Sequence, residues 1–205
     1  MLDPARFPLA SAYFASLPRG FDSFPKCRVR VLVFEPIGKE YPTLGEGLEP
    51  GPLSALLRGA IAPTDWVPEV VGQVANLMLR DACLASDAEY LDWSRRASES
   101  AFDKPLLRNL MRLISPTLLV MGAARRWSTL HDGTQLETTP VISAGDRWET
   151  IGRLRFPGGL FPPLFLEGLT AAFSAAMALA RGRNIQVALR DQTANSADYV
   201  VSWAA

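Results

Sequence analysis

Few folds can accept what the chain does between Phe156 and Trp203. Phe156-Pro157-Gly158-Gly159 breaks a strand, because proline fixes φ and removes a backbone donor while paired glycines permit a sharp corner. Pro162-Pro163 then suits the first turn of a helix, where a missing N–H costs nothing. Leu164 to Ala180 is almost wholly small or helix-forming, and Gly182 with Asn184 ends the run. Next, Ile185, Val187 and Leu189 alternate with Gln186, Ala188 and Arg190, and Tyr199, Val201 and Trp203 alternate with Val200 and Ser202. Period two thus appears twice, joined by the turn-rich Thr193-Ala194-Asn195-Ser196. The stretch predicts a β–α–β–β unit.

Upstream, Cys27 to Phe34 opens with Arg/Val alternation and predicts a strand with one wet face. Glu35 to Pro52 holds four Pro and four Gly in eighteen residues, so it predicts a linker, with residues 1–50 an N-terminal extension and 51–205 the main domain. Helices are expected over Leu53–Ile61 and over Val67 to Leu84, the latter capped by Thr64 or Asp65. A third runs from the capping box Ser86-Asp87-Ala88-Glu89 to about Phe102. A fourth follows Asp103, and a fifth begins at Pro116 and ends near Arg125. After Arg126 the period changes: Trp127–Leu130, Gln135–Ile142 and Arg147–Phe156 predict strands joined by turns at His131-Asp132-Gly133 and Ser143-Ala144-Gly145-Asp146. Helices first and antiparallel strands later define an α+β fold, with helices on one side of a twisted antiparallel sheet.

Composition excludes several functions. Lys+Arg and Asp+Glu both number 21, so there is no net basic charge of the kind nucleic-acid or anionic-membrane binders carry. No apolar run reaches the ~20 residues of a membrane span; Leu164–Ala180 comes nearest and Glu167 interrupts it. The N-terminus shows no basic region followed by an apolar core, so a cytoplasmic location is expected. Cys27 and Cys83 have no motif spacing, and with a single histidine a Cys/His zinc site is not expected.

Residues that could carry chemistry are few. His131 stands alone before a predicted turn, where an exposed side chain is the ordinary outcome. Asp81, Asp87, Glu89, Asp92 and Glu99 lie on helices whose other faces are apolar, so they predict solvated faces. No nucleophile elbow, phosphate loop or dinucleotide fingerprint is present. Phe165, Leu169 and Phe173 recur every fourth residue and stack on one helix face, with Gly168, Ala172, Ala175 and Ala176 alongside. Such a stripe serves core packing, or lines a ligand pocket or dimer face.

In Thr64-Asp65-Trp66-Val67-Pro68, Ser86-Asp87-Ala88-Glu89-Tyr90, Ser115-Pro116-Thr117-Leu118-Leu119 with Arg126-Trp127, and the closing Val200-Val201-Ser202-Trp203, the chain resembles a superfamily of small ligand-binding and assembly domains. That group holds 4-vinyl-reductase-type sensor domains, small subunits of the transport-particle tethering complex and haem–nitric-oxide-binding domains. More narrowly the chain is similar to a paralogous family typical of myxobacteria. The resemblance covers about residues 50–205. It implies an α+β fold, frequent dimerisation through helices, and an apolar cavity for a small aromatic compound, an acyl chain or a porphyrin. The helical histidine and Tyr-x-Ser-x-Arg motif of the haem branch are missing here, which disfavours haem; no other cofactor is expected.

The sequence thus leads to a non-enzymatic sensor or adaptor in signalling, a homodimer binding a small apolar ligand or a regulatory partner protein. Trp127, Phe165, Leu169 and Phe173 are the expected ligand-binding residues. No catalytic or metal-ligating residue is assigned. The alternatives are a hydrolase or transferase built around His131 with Asp132 and Ser128, and a pure assembly subunit.

Overall fold

A computed structural model describes residues 2–102 and 114–204. Eight α-helices and eight strands in antiparallel sheets are present among them, an α+β fold as expected. The chain divides into two compact units. One comprises Met1–Tyr90, Leu130–Gly133 and Pro157–Phe165; the other comprises Leu91–Thr129, Thr134–Phe156 and Leu166–Ala205. The first fifty residues therefore belong to the same unit as residues 51–90, rather than standing apart as an extension.

In the first unit, α1 (Pro8–Ser16), α2 (Glu35–Glu40) and α3 (Pro52–Leu57) surround α4 (Glu69–Cys83). From Glu69 to Leu79 every residue of α4 is buried, so it is a central helix rather than an amphipathic surface one. Gly72 sits where a Cβ would lie 2.1 Å from Phe34 Cζ, so its missing side chain is the space the phenyl ring occupies. Three strands form a small sheet in the order β2 (Trp66–Pro68), β1 (Arg28–Arg30), β3 (His131–Asp132). The expected long strand from Cys27 is thus only three residues, and Val31–Val33 turns into a 3-10 helix. Trp66–Pro68, expected inside a helix, is extended, because Pro68 disfavours helical φ and ψ at the residue before it.

The expected hairpin at His131-Asp132-Gly133 is absent. Trp127–Leu130 belongs to a helix, Ala123–Leu130, and His131–Asp132 pairs with β1 instead. Gly133 then leaves this sheet at φ +76, where a Cβ would fall 2.3 Å from the Lys26 carbonyl oxygen; only glycine fits. The Asp-Gly pair marks a sharp change of course, but not a return to the preceding segment.

The second unit is built on β4 (Gln135–Thr138), β5 (Ile142–Ala144), β6 (Arg147–Arg155), β7 (Gln186–Gln192) and β8 (Ser196–Ala204), in the order β4-β6-β8-β7 with β5 also on β6. β6 and β8 pair over nine residues each, from Arg147↔Ala204 to Arg155↔Ser196. Helices α5 (Asp87–Phe102), α6 (Pro116–Met121), α7 (Ala123–Leu130) and α8 (Pro163–Leu179) complete the described elements, the first and last of these beginning in the other unit's sequence. The expected order β6–α8–β7–β8 is present. The helix expected after Asp103 falls largely outside the described residues.

Alternation explains which sheet face is covered. Leu154, Ala197, Tyr199, Val201 and Trp203 are buried, and Val201 and Trp203 pack with Leu119 and Val120 of α6 and Met177 and Ala180 at the end of α8. The opposite face carries Arg153, which holds Asp198 through Nε at 2.7 Å, and Arg155, which reaches Glu137 at 3.3 Å. α8 ends one residue earlier than glycine placement suggests: Arg181 takes φ +64, and the Gly182 N–H donates back to the Met177 carbonyl at 3.0 Å.

Candidate functional site

Three elements of the second unit enclose an open groove of roughly 590 Å³. From α5 come Leu91, Asp92, Arg95 and Glu99, spaced so that they share one helix face. From α8 come Thr170, Ala171, Ser174, Ala175 and Ala178, again one face at spacings of three and four. Ile185, Gln186 and Val187 close it at the start of β7. The alanines carry one carbon beyond the backbone, so α8 contributes a low floor where larger side chains would have filled the space.

The rim is polar and largely self-neutralised. Arg95 donates from Nη2 to Asp92 Oδ1 at 2.7 Å and from Nη1 to Glu99 Oε1 at 3.1 Å, and Arg96 also bonds Asp92. The Arg95 hydrogen bond is the main reason the Asp92 carboxyl lies below the ordinary carboxylate range. The Thr170 hydroxyl donates to the Glu167 carbonyl at 2.6 Å.

The four residues expected to bind a ligand lie elsewhere. Trp127 is buried and its Nε1–H donates to Thr134 Oγ1 at 2.9 Å. Phe165 stacks on Phe161 with centroids 4.9 Å apart, and Leu169 is buried. Phe173 meets Tyr199 edge-on at 5.0 Å. None of the four lines the groove; the small-residue side of the same helix does, and of the alanines noted in the sequence Ala175 is in it.

A second polar constellation lies in the first unit, and sequence reasoning missed it. His131, expected at the surface, is 4 % exposed. Its Nδ1 lies 3.0 Å from Glu69 Oε2, and the Gln73 Nε2 amide donates to Glu69 Oε1 at 2.9 Å. Glu69 is fully buried in the first turn of α4, where the helix dipole favours a carboxylate. The Glu69 and Gln73 spacing of four was the available signal, but nothing local linked either to a histidine 62 positions away.

The surroundings argue against nucleophilic chemistry there. Burial, and then the Glu69 and Asp132 carboxylates, push the Cys27 thiol up to about 11, and its Sγ–H donates to the Gly133 carbonyl at 3.5 Å. Burial, with Glu69 adding to it, also raises Tyr13, whose hydroxyl donates to the Leu160 carbonyl at 2.6 Å. Asp132 points to Arg28 at 2.6 Å, and the Ser128 hydroxyl is spent on the Arg125 carbonyl at 2.9 Å. The helical acids have local partners too: Asp81 accepts from the Ala10 N–H at 3.0 Å, and Asp87 pairs with Arg80 at 2.6 Å. Among the described residues no group of three acidic, histidine or cysteine side chains is placed to hold a metal ion, and no helix is long and apolar enough to cross a membrane.

Compared with known protein families, with curated proteins and with solved structures, the chain matches none.

Proposed function

We propose that the protein is a non-enzymatic sensor or adaptor, and that the groove between α5, α8 and β7 receives its ligand, a small molecule with an apolar body and a polar end. The groove itself carries this reading. Its volume, roughly 590 Å³, falls within the span of about 300–1,000 Å³ that small-molecule sites occupy. Leu91, Ile185, Val187 and the alanines offer apolar surface, while Ser174 offers a hydroxyl that would orient a bound molecule. The reading around His131 draws less support, because Asp132 and Ser128 are each committed to other partners.

Native mass spectrometry of the protein purified from its own cell, before and after denaturation, tests this and reports the oligomeric state in the same spectrum. An adduct lost on unfolding, and absent from Ala171→Trp, is the expected result. No adduct in the wild type, or one retained by Ala171→Trp with its native melting temperature, removes the groove as the site. A dimer mass would support the homodimer expected from the sequence.

A further inference from the structure

The exposed side of the small sheet in the first unit carries a second arrangement with chemistry of its own, independent of the groove. In the register of β1 and β2, Arg30 stands opposite Trp66 and Arg28 opposite Pro68. Arg28 and Arg30, two apart on one strand, project from the same face. Both guanidinium groups gather on one indole: Cζ of Arg30 lies 4.2 Å from the Trp66 ring centroid, and Cζ of Arg28 lies 5.6 Å from it. Their charges are balanced unequally. Arg28 donates to the Asp132 carboxylate at 2.6 Å. Arg30 has only the Thr64 carbonyl oxygen, reached through Nη1, and among the described residues no carboxylate pairs with it.

Stacking uses the face of a guanidinium and leaves its edge. With Nη1 held by Thr64, the Nε and Nη2 hydrogens of Arg30 remain as the parallel pair that grips two oxygens of a carboxylate or phosphate. The indole and the Thr64 carbonyl both hold the Arg30 guanidinium, so part of its rotamer freedom is lost before any anion binds. Arg28 shares the ring, with its own charge matched by Asp132, so the free charge at this site is that of Arg30. The unmatched charge of Arg30 and its Nε/Nη2 edge are what a bound anion would use.

We propose that Arg30, seated on Trp66 with Arg28 beside it, is a recognition site for an oxyanion, a carboxylate or phosphate group on a ligand or partner. The test follows the Arg30 Nε–H resonance of the full chain by NMR, identified by its loss in Arg30→Lys. Inorganic phosphate and acetate are titrated separately at constant ionic strength. Arg190, exposed and without a ring contact among the described residues, serves as the internal control. The expected result is saturable movement of the Arg30 signal, with affinity about tenfold above that at Arg190 and weakened severalfold by Trp66→Leu. Saturation by both anions defines a general oxyanion site, and saturation by phosphate alone narrows the ligand to a phosphate. A response no stronger than that of Arg190, or one that Trp66→Leu leaves unchanged in a folded protein, overturns the proposal. Unchanged amide spectra of both variants outside β1 and β2 establish that they fold.

Discussion

His131 Nδ1 and Glu69 Oε2 meet at 3.0 Å with both side chains buried, joining a two-residue strand to the first turn of α4. Removing either partner leaves the other buried without this hydrogen bond. His131→Ala and Glu69→Ala should each cost about 1–3 kcal/mol of stability through the lost hydrogen bond. The double variant should cost clearly less than the sum, because the second deletion removes the group stranded by the first. Denaturant unfolding of the four proteins measures this. Additive losses would mean that the two side chains do not interact.

Gly72 yields its space to the Phe34 ring. Gly72→Ala should destabilise the protein by about 1–3 kcal/mol through overpacking, even though alanine is the better helix former. Pairing it with Phe34→Leu should recover part of the loss. A Gly72→Ala protein as stable as the wild type would contradict the close approach.

Acid should weaken the second unit through Asp198. The Arg153 hydrogen bond, and then its charge, hold the Asp198 carboxyl below the ordinary range, with Arg155 adding to the effect. Its folded value is depressed, so the stability it contributes is complete above the unfolded pKa of about 3.9 and is lost as pH falls through the lower folded value. Asp198→Asn should therefore be less stable than the wild type at neutral pH, and the gap should close in strong acid. Urea unfolding across that range checks the sign; a gap that widens on acidification would refute it.

Thiol reactivity should separate the two cysteines. Burial raises both, but Cys27 also faces the Glu69 and Asp132 carboxylates, whereas Arg6 lowers Cys83. A thiolate-directed reagent at mildly alkaline pH should modify Cys83 first and Cys27 far more slowly, with the difference erased in denaturant. Mass spectrometry of a timed reaction reads the order directly.

How far the sequence announces this fold depends on how local each signal is. The β6–α8–β7–β8 order follows from alternation, a proline pair and a helix stop, all readable within a few residues of where they act. The Ser86 capping box likewise exists, with the Glu89 N–H donating to Ser86 Oγ at 3.2 Å. What escaped notice is non-local. A two-residue strand at His131 has no period to detect, and its partner Val29 lies 102 positions earlier. The same holds for the groove. Alternating bulky and small residues on α8 were visible, but only the packing of Phe173 on Tyr199 decides which side is spent on the core, leaving Ala171, Ala175 and Ala178 for the cleft.

The makeup of the first unit sets a constraint on synthesis. It takes residues from Met1–Tyr90, Leu130–Gly133 and Pro157–Phe165. A nascent chain that has been made only as far as Tyr90 lacks the third strand of its small sheet, the histidine opposite Glu69 and the carbonyl that Tyr13 bonds. The closing contacts of this unit, His131 on Glu69 and Tyr13 on the Leu160 carbonyl, can therefore form only after the first and then both of the intervening segments assigned to the other unit have been made.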